Sequence, residues 1–234
     1  MRFALISDLH GNIVALEAVL ADIALRGVDR TICLGDIIDL GPRPCEVVDR
    51  LREAGIPCVL GNHDPLDEHP PLPPLKQVEE WTRTQLNSEQ LNWLSALPFD
   101  RVEALEEFKL LAVHGNPLSN QQGIEPGTTD EILEDYLSDM KEDVIVVGHT
   151  HLQLCRRMNE KLIVNVGSVG MPFLGPLNGP PIILKSIDYA LVTADRGVIS
   201  VELVRLPLDF DLFKKSFDGT NFPDPEGWLK AWLS

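Results

Sequence analysis

The apolar positions in the N-terminal part of this chain alternate between short unbroken runs and stretches of helical period. Arg2–Ile6 is an apolar run of strand length. From Ile13 the apolar residues recur at helical spacing, through Leu16, Leu20 and Ile23, and the pattern closes at Gly27. A second run, Arg30–Leu34, precedes a helical pattern from about Pro44 to Ala54, and a third run covers Ile56–Leu60. Proline at the start of the second helix and glycine after each (Gly27, Gly55) are the expected punctuation. The order is βαβαβ. It predicts a parallel sheet whose strands all end at one edge, where open α/β sheets bind ligands.

Residues 65–75 hold Pro65, Pro70, Pro71, Pro73 and Pro74, so no regular element is expected there, only a stiff connector. Helical patterns return at Lys76–Leu86 and Ser88–Leu97, with Trp81, Leu86, Leu91 and Leu94 read as core. Beyond Phe99 the runs shorten to strands: Phe99–Ala104 and Phe108–Val113, expected to pair, then Val144–Val147, Leu152–Met158, Leu162–Val166, Ala190–Ala194 and Val198–Val204. A helix is expected over about Asp130–Ser138, and Asp195-Arg196-Gly197 turns the last strand pair. From about 207 the tail carries Phe210, Phe213, Phe217, Phe222, Trp228 and Trp232, half of all the phenylalanines and tryptophans. These are expected to pack on the fold as a final helix and extended tail; exposed, they would instead mark a partner surface. With no internal repeat and no separating linker, 1–234 reads as one domain.

Composition narrows the functional classes. At 234 residues with 44% hydrophobic positions, the chain can bury a full core. A formal net charge of −16 disfavours a grip on duplex nucleic acid, and the densest basic spots are only the pairs Arg156-Arg157 and Lys214-Lys215. No membrane span is evident, and a first strand beginning at residue 2 leaves no room for a signal peptide, so a cytoplasmic location is expected. Cys33, Cys45, Cys58 and Cys155 lack paired spacing and predict neither disulfides nor a thiolate metal site.

The candidate chemistry sits where the strands end. Asp8-Leu9-His10 follows the first run, Gly35-Asp36 the second and Gly61-Asn62-His63-Asp64 the third. Asp8, Asp36 and Asn62 lie 28 and 26 positions apart, about one βα unit each. His114-Gly115 and Gly148-His149-Thr150-His151 end two later runs, so five of the six histidines fall at strand ends; His69, in the proline stretch, is the exception. Asp and Asn at turns are commonly no more than capping residues. Here two carboxylates, one amide and at least four imidazoles form a nitrogen and oxygen donor set suited to Mn, Fe, Ni or Zn, with more ligands than one ion requires. That excess favours a two-metal site.

The series Asp8-x-His10, Gly35-Asp36-x-x-Asp39, Gly61-Asn62-His63-Asp64, His114-Gly115 and Gly148-His149-Thr150-His151 closely resembles the calcineurin-like metallophosphoesterase superfamily, in its compact bacterial phosphodiesterase-type branch. Asn165-Val166-Gly167-Ser168-Val169-Gly170 extends the likeness. The resemblance implies a four-layer sandwich: two mixed β-sheets packed face to face, flanked by helices. It implies two divalent transition-metal ions, Mn preferred, with Asp8, His10, Asp36 and His151 on one and Asp36, Asn62, His114 and His149 on the other. Asp36 would then be the bridge. His63 would face the phosphate without binding metal, with Asp64 as its orienting partner, while Asp39 would fix the turn or support the ligands.

The implied activity is hydrolysis of a small phosphodiester or nucleotide by a metal-bridging hydroxide. Alternatives are a dinucleoside polyphosphate hydrolase, a Ser/Thr phosphoprotein phosphatase or, in a different class, a partner-binding scaffold with this fold; the intact ligand set with His63 argues for an enzyme. The expected partner is a small phosphate ester, with homo-oligomerisation left open. One departure stands out. Small bacterial relatives often carry Pro-Arg after the glycine-serine stretch, whereas this chain has Met171-Pro172-Phe173. Arg43 and Arg156 are either substitutes for that arginine or ordinary solvated side chains.

Overall fold

The computed structural model describes residues 1–66 and 75–232. The proline stretch expected as a connector lies almost wholly outside them. Strand β1 (Arg2–Ile6) runs into helix α1 (Ile13–Leu25), then β2 (Arg30–Cys33), α2 (Pro44–Glu53), α3 (Lys76–Gln85) and α4 (Ser88–Ser95). Next come β3 (Asp100–Leu105), β4 (Phe108–Val113), α5 (Asp130–Leu137), β5 (Val144–Val147), β6 (Gln153–Met158) and β7 (Lys161–Val166). The chain closes with β8 (Ser186–Asp195), β9 (Val198–Pro207), α6 (Phe210–Lys215) and α7 (Pro225–Leu229).

Two mixed sheets form. One has the order β2-β1-β8-β9, with β1 parallel to β2 and the remaining pairs antiparallel; the other has the order β3-β4-β5-β7-β6, with β4, β5 and β7 parallel. The run Ile56–Leu60 is reduced to a single bridge, Cys33 to Cys58, beside β2. Pro57 has no N–H to give a longer ladder, although its carbonyl accepts from Cys33.

Side chains alternate across each strand, which separates the layers. Phe3 and Leu5 point between the sheets with Leu110, Ala112, Val144, Val146, Val164, Ala190 and Val192. Ala4 and Ile6, on the other face, join Leu16 and Val19 of α1 and Val47, Val48 and Leu51 of α2. Leu111, Val113, Ile145 and Ile163 pack the outer face of the second sheet against Leu133 and Leu137 of α5. The expected sandwich of two mixed sheets flanked by helices is therefore the observed one.

The aromatic tail joins the helical layer of the first sheet. Phe213, Phe217, Phe222 and Trp232 are all buried, and Phe213 stacks near Phe217 and Trp232 with ring centroids 5.3 and 4.9 Å away. Trp81 of α3 donates its indole N–H to the Thr220 carbonyl, and Arg43 donates to the carbonyls of Ser216 and Asp218. These rings act as core. Phe213→Ala should lower the unfolding free energy by about 3–5 kcal/mol, the usual loss for emptying a buried phenylalanine site. Denaturant titration reads this directly, and a loss below about 1 kcal/mol would mean the tail rests loosely on the fold.

Candidate metal centre

Five loops converge at the strand ends and are tied together by backbone hydrogen bonds. Asp8, His10 and Gly11 donate their N–H groups to the carbonyls of Gly35, Asp36 and Ile37, each at 3.0 Å. Gly148 donates to the His114 carbonyl, and Val169 and Gly170 donate to those of Ser7 and Asp8. Close approach demands glycine: a Cβ on Gly61 would lie 2.1 Å from the Asp36 nitrogen, and one on Gly148 2.0 Å from Ser7 Oγ. Asp8, His10, Asp36, Asp39, His149 and His151 all take left-handed backbone conformations, with φ between 45° and 66°. Such residues persist only where surrounding bonds over-determine them, and they concentrate at functional sites.

The loops bring two donor groups together: Asp8, His10 and His151, and beside them Asp36, His114 and His149. In the first, His151 Nε2 is 3.2 Å from Asp8 Oδ1 and 3.1 Å from His10 Nε2. In the second, Asn62 Oδ1 is 2.9 Å from His114 Nε2 and 2.7 Å from His149 Nδ1. Asp36 lies between them, its Oδ2 3.3 Å from His114 Nε2 and 3.8 Å from His10 Nε2.

Tautomers test whether these donors suit cations. His114 Nδ1 gives its proton to the Leu34 carbonyl and His151 Nδ1 to that of Met171, so in the neutral ring each Nε2 would present a lone pair inward. Lone pairs, a carboxylate and an amide oxygen then face one another in a buried space. Asp8 Oδ1 is buried without any hydrogen-bond donor. Acceptors crowded in this way are stable when a cation sits among them, and histidines whose far nitrogen bonds a carbonyl are the usual form of metal ligands. The donor set fits divalent metal ions.

The electrostatics agree. Burial opposes the charges on Asp8 and Asp36, yet the neighbouring imidazoles hold Asp8 down at about 2 and Asp36 well below the usual carboxylate range. Burial, with His151, pushes His10 down to about 3, and burial with His114 pushes His149 down to about 4. His114 moves the other way, to about 9, because the attraction of Asp36 overcomes its burial. The carboxylates that hold a proton there would equally hold a cation.

His63 stands apart from both donor groups. Its side chain is 27% exposed while the Asp8, His10, Asp36 and His114 side chains are almost wholly enclosed. Its ring meets that of His10 edge-on at 5.3 Å. Its Nδ1 donates to Asp39 Oδ2 at 2.8 Å, and Thr82 of α3 donates to the other Asp39 oxygen at 3.3 Å. Burial opposes a charge on His63, but Asp36 and Asp39 raise it to about 9.

This corrects the pairing expected from sequence. Asp39, not Asp64, orients His63. The Asp64 carboxylate turns inward and accepts the backbone N–H groups of Gly61, Ile37 and Asp36 at 2.8, 2.8 and 3.0 Å, so it joins two loops rather than touching the imidazole. Adjacent side chains on an extended turn diverge, which sends His63 outward and Asp64 inward. Burial and the nearby Asp36 charge push Asp64 up to about 6, against the pull of those N–H groups. Asp64→Asn should destabilise the fold by about 1–3 kcal/mol, because an amide NH₂ cannot accept from the N–H groups left facing it. Thermal unfolding reads it; an unchanged transition would show that the loops hold without the carboxylate.

Neither arginine weighed as a phosphate contact lies in the site. Arg43 is tied to the C-terminal segment, and Arg156 to Asp130 and the Thr128 carbonyl. Sequence reasoning placed Asn165 in the stretch that extends the likeness but passed over its role: the Asn165 amide donates to the Gly148 carbonyl and Thr150 Oγ1 and so pins the Gly148–His151 loop. It also passed over Thr82, which lies outside every motif and carries no local signal.

The model of the calcineurin-like phosphoesterase superfamily domain matches residues 1–184. An uncharacterised protein of Methanocaldococcus jannaschii is 29% identical over 239 residues, covering 92% of this chain and 90% of the relative. The phosphodiesterase YfcE of Escherichia coli K12 is 27% identical over 182 residues, 74% of this chain and 81% of the enzyme. The crystal structure of a metallophosphoesterase from Sphaerobacter thermophilus aligns over 99% of this chain and 98% of its own, with a TM-score of 0.75 and 28% identity. The donor groups and the loops that carry them all lie within the matched residues 1–184: the chain belongs to the calcineurin-like phosphoesterase superfamily.

Proposed function

We propose that the protein is a dinuclear-metal phosphodiesterase acting on a small phosphodiester or nucleotide, with Mn preferred. The observation that carries this reading is the position of Asp36 between two adjacent donor groups, Asp8–His10–His151 and Asn62–His114–His149. Divalent ions held there would offset phosphate charge and lower the pKa of bound water from 15.7 toward about 7.

The chain's own residues supply the rest. With its Nδ1 proton given to Asp39 and its side chain 27% exposed, His63 would turn Nε2 to the substrate, where a protonated imidazole can stabilise phosphoryl charge or pass a proton to the leaving alkoxide. The histidine carbonyl contacts and the zipped loops keep the ligand atoms in place before substrate arrives. In a chain of net charge −16, bound metal would supply most of the positive charge that an anionic ester meets, and the same overall charge disfavours duplex nucleic acid.

The test is metal analysis of purified protein, followed by activity with and without chelator. Substrates should include cyclic nucleotides, linear diesters, dinucleoside polyphosphates and phosphopeptides. Two ions per chain and chelator-sensitive hydrolysis, fastest with a diester, are expected. Full activity after stripping would remove the two-metal reading, and metal binding without turnover of any ester would favour a scaffold.

A further inference from the structure

One wall of the site is a row of rings. His63 meets His10 at 5.3 Å, His10 meets His151 at 4.9 Å, and His151 stacks on Phe173 with centroids 4.2 Å apart and planes 28° from parallel. The row starts at His63 and ends on Phe173, an apolar, half-buried ring that also packs against the helical-layer core. Phe173 is firmly placed: its N–H donates to the His151 carbonyl, and it bridges Ile183 across a short antiparallel pair. Among the described residues, the charged partners of these imidazoles are histidines and aspartates. None of the hydrogen bonds or ion pairs of His10, His63 or His151 among the described residues involves a lysine or arginine. Residues 67–74 contain neither type.

Resting on the phosphodiesterase reading, we infer that Phe173 is a specificity-determining residue that takes a flat aromatic substituent of the ester, of the nucleoside class. A second phosphate would need a guanidinium or ammonium group, and among the described residues none hydrogen-bonds or pairs with His10, His63 or His151. A nucleobase needs a fixed apolar face, and stacking on such a face favours a base over a small alkyl group without hydrogen-bond readout. The favoured substrate is a single-phosphate diester with a nucleoside arm, over a polyphosphate.

The experiment uses two substrates with the same leaving group, thymidine 5′-(4-nitrophenyl phosphate) and ethyl 4-nitrophenyl phosphate, on the Mn-loaded protein. The ratio of their kcat/KM values should favour the nucleoside by roughly 10-fold, fall close to one in Phe173→Leu, and persist in Phe173→Trp, which keeps a flat face. Calorimetry with thymidine 5′-monophosphate against ethyl phosphate gives the same comparison without turnover. If no ester is hydrolysed, the phosphodiesterase reading fails, yet tighter nucleotide binding that is lost in Phe173→Leu still supports the platform. A wild-type ratio near one, or a ratio unchanged in Phe173→Leu, overturns it. So does a Phe173→Leu protein that loses its metal and both activities together, since Phe173 would then only support His151.

Discussion

Asp36→Asn is expected to lower the metal content and abolish turnover of every phosphate ester. The reason is where the side chain stands. Asp36 Oδ2 lies 3.3 Å from His114 Nε2 and 3.8 Å from His10 Nε2, so one oxygen serves both donor groups. Asp36 Oδ1 accepts the His63 backbone N–H at 2.8 Å, which ties the carboxylate to the turn bearing the third motif. An amide keeps the shape and removes the charge that two divalent ions would share. The loss should therefore be the same for good and poor leaving groups, because it precedes any chemistry on the ester. Metal analysis of the purified variant beside its rates checks this. A variant that retains two ions per chain and a measurable rate would show that Asp36 is not the bridge.

His63→Ala should fail in a different way. The structure keeps His63 out of both donor groups and gives it Asp39 as partner, so the variant should retain its metal. Its rate should fall by roughly 10²–10⁴-fold if the imidazole acts as general acid. That loss should be largest for alkoxide leaving groups and smaller for 4-nitrophenolate, which departs with little protonation. Asp39→Asn should move in the same direction by less, since the imidazole remains but loses the partner that orients it. Metal loss in His63→Ala would make the histidine a ligand. An equal loss across leaving groups would make it an electrostatic stabiliser rather than a proton donor.

Much of the architecture was legible because its signals are local. Apolar runs and helical periods follow from how side chains alternate on a strand or recur on a helix, and the observed elements fall within a few residues of those patterns. Glycines beside Asp, Asn and His at strand ends were equally legible, since the loops there approach too closely for a Cβ. The resemblance to a metallophosphoesterase rested on those same residues. Ile56–Leu60 is the exception among the strands, for there a local run met a proline and made a single bridge.

What the sequence by itself determined is therefore the inventory: which segments are strands or helices, and which chemistry-bearing side chains lie at their ends. Which of these meet was decided only by the tertiary structure. β1 pairs with β8 from the far end of the chain, and the aromatic tail settles beside α1 and α3, contacts that no local period encodes. Asp64 is adjacent to His63 in sequence but bonds three backbone N–H groups, while Asp39, 24 positions earlier, reaches the imidazole. Phe173 meets His151 for the same reason: packing of distant loops places its ring there. Side-chain partners depend on how whole elements pack and how loops close between them, and those terms are set by contacts between residues far apart in the chain.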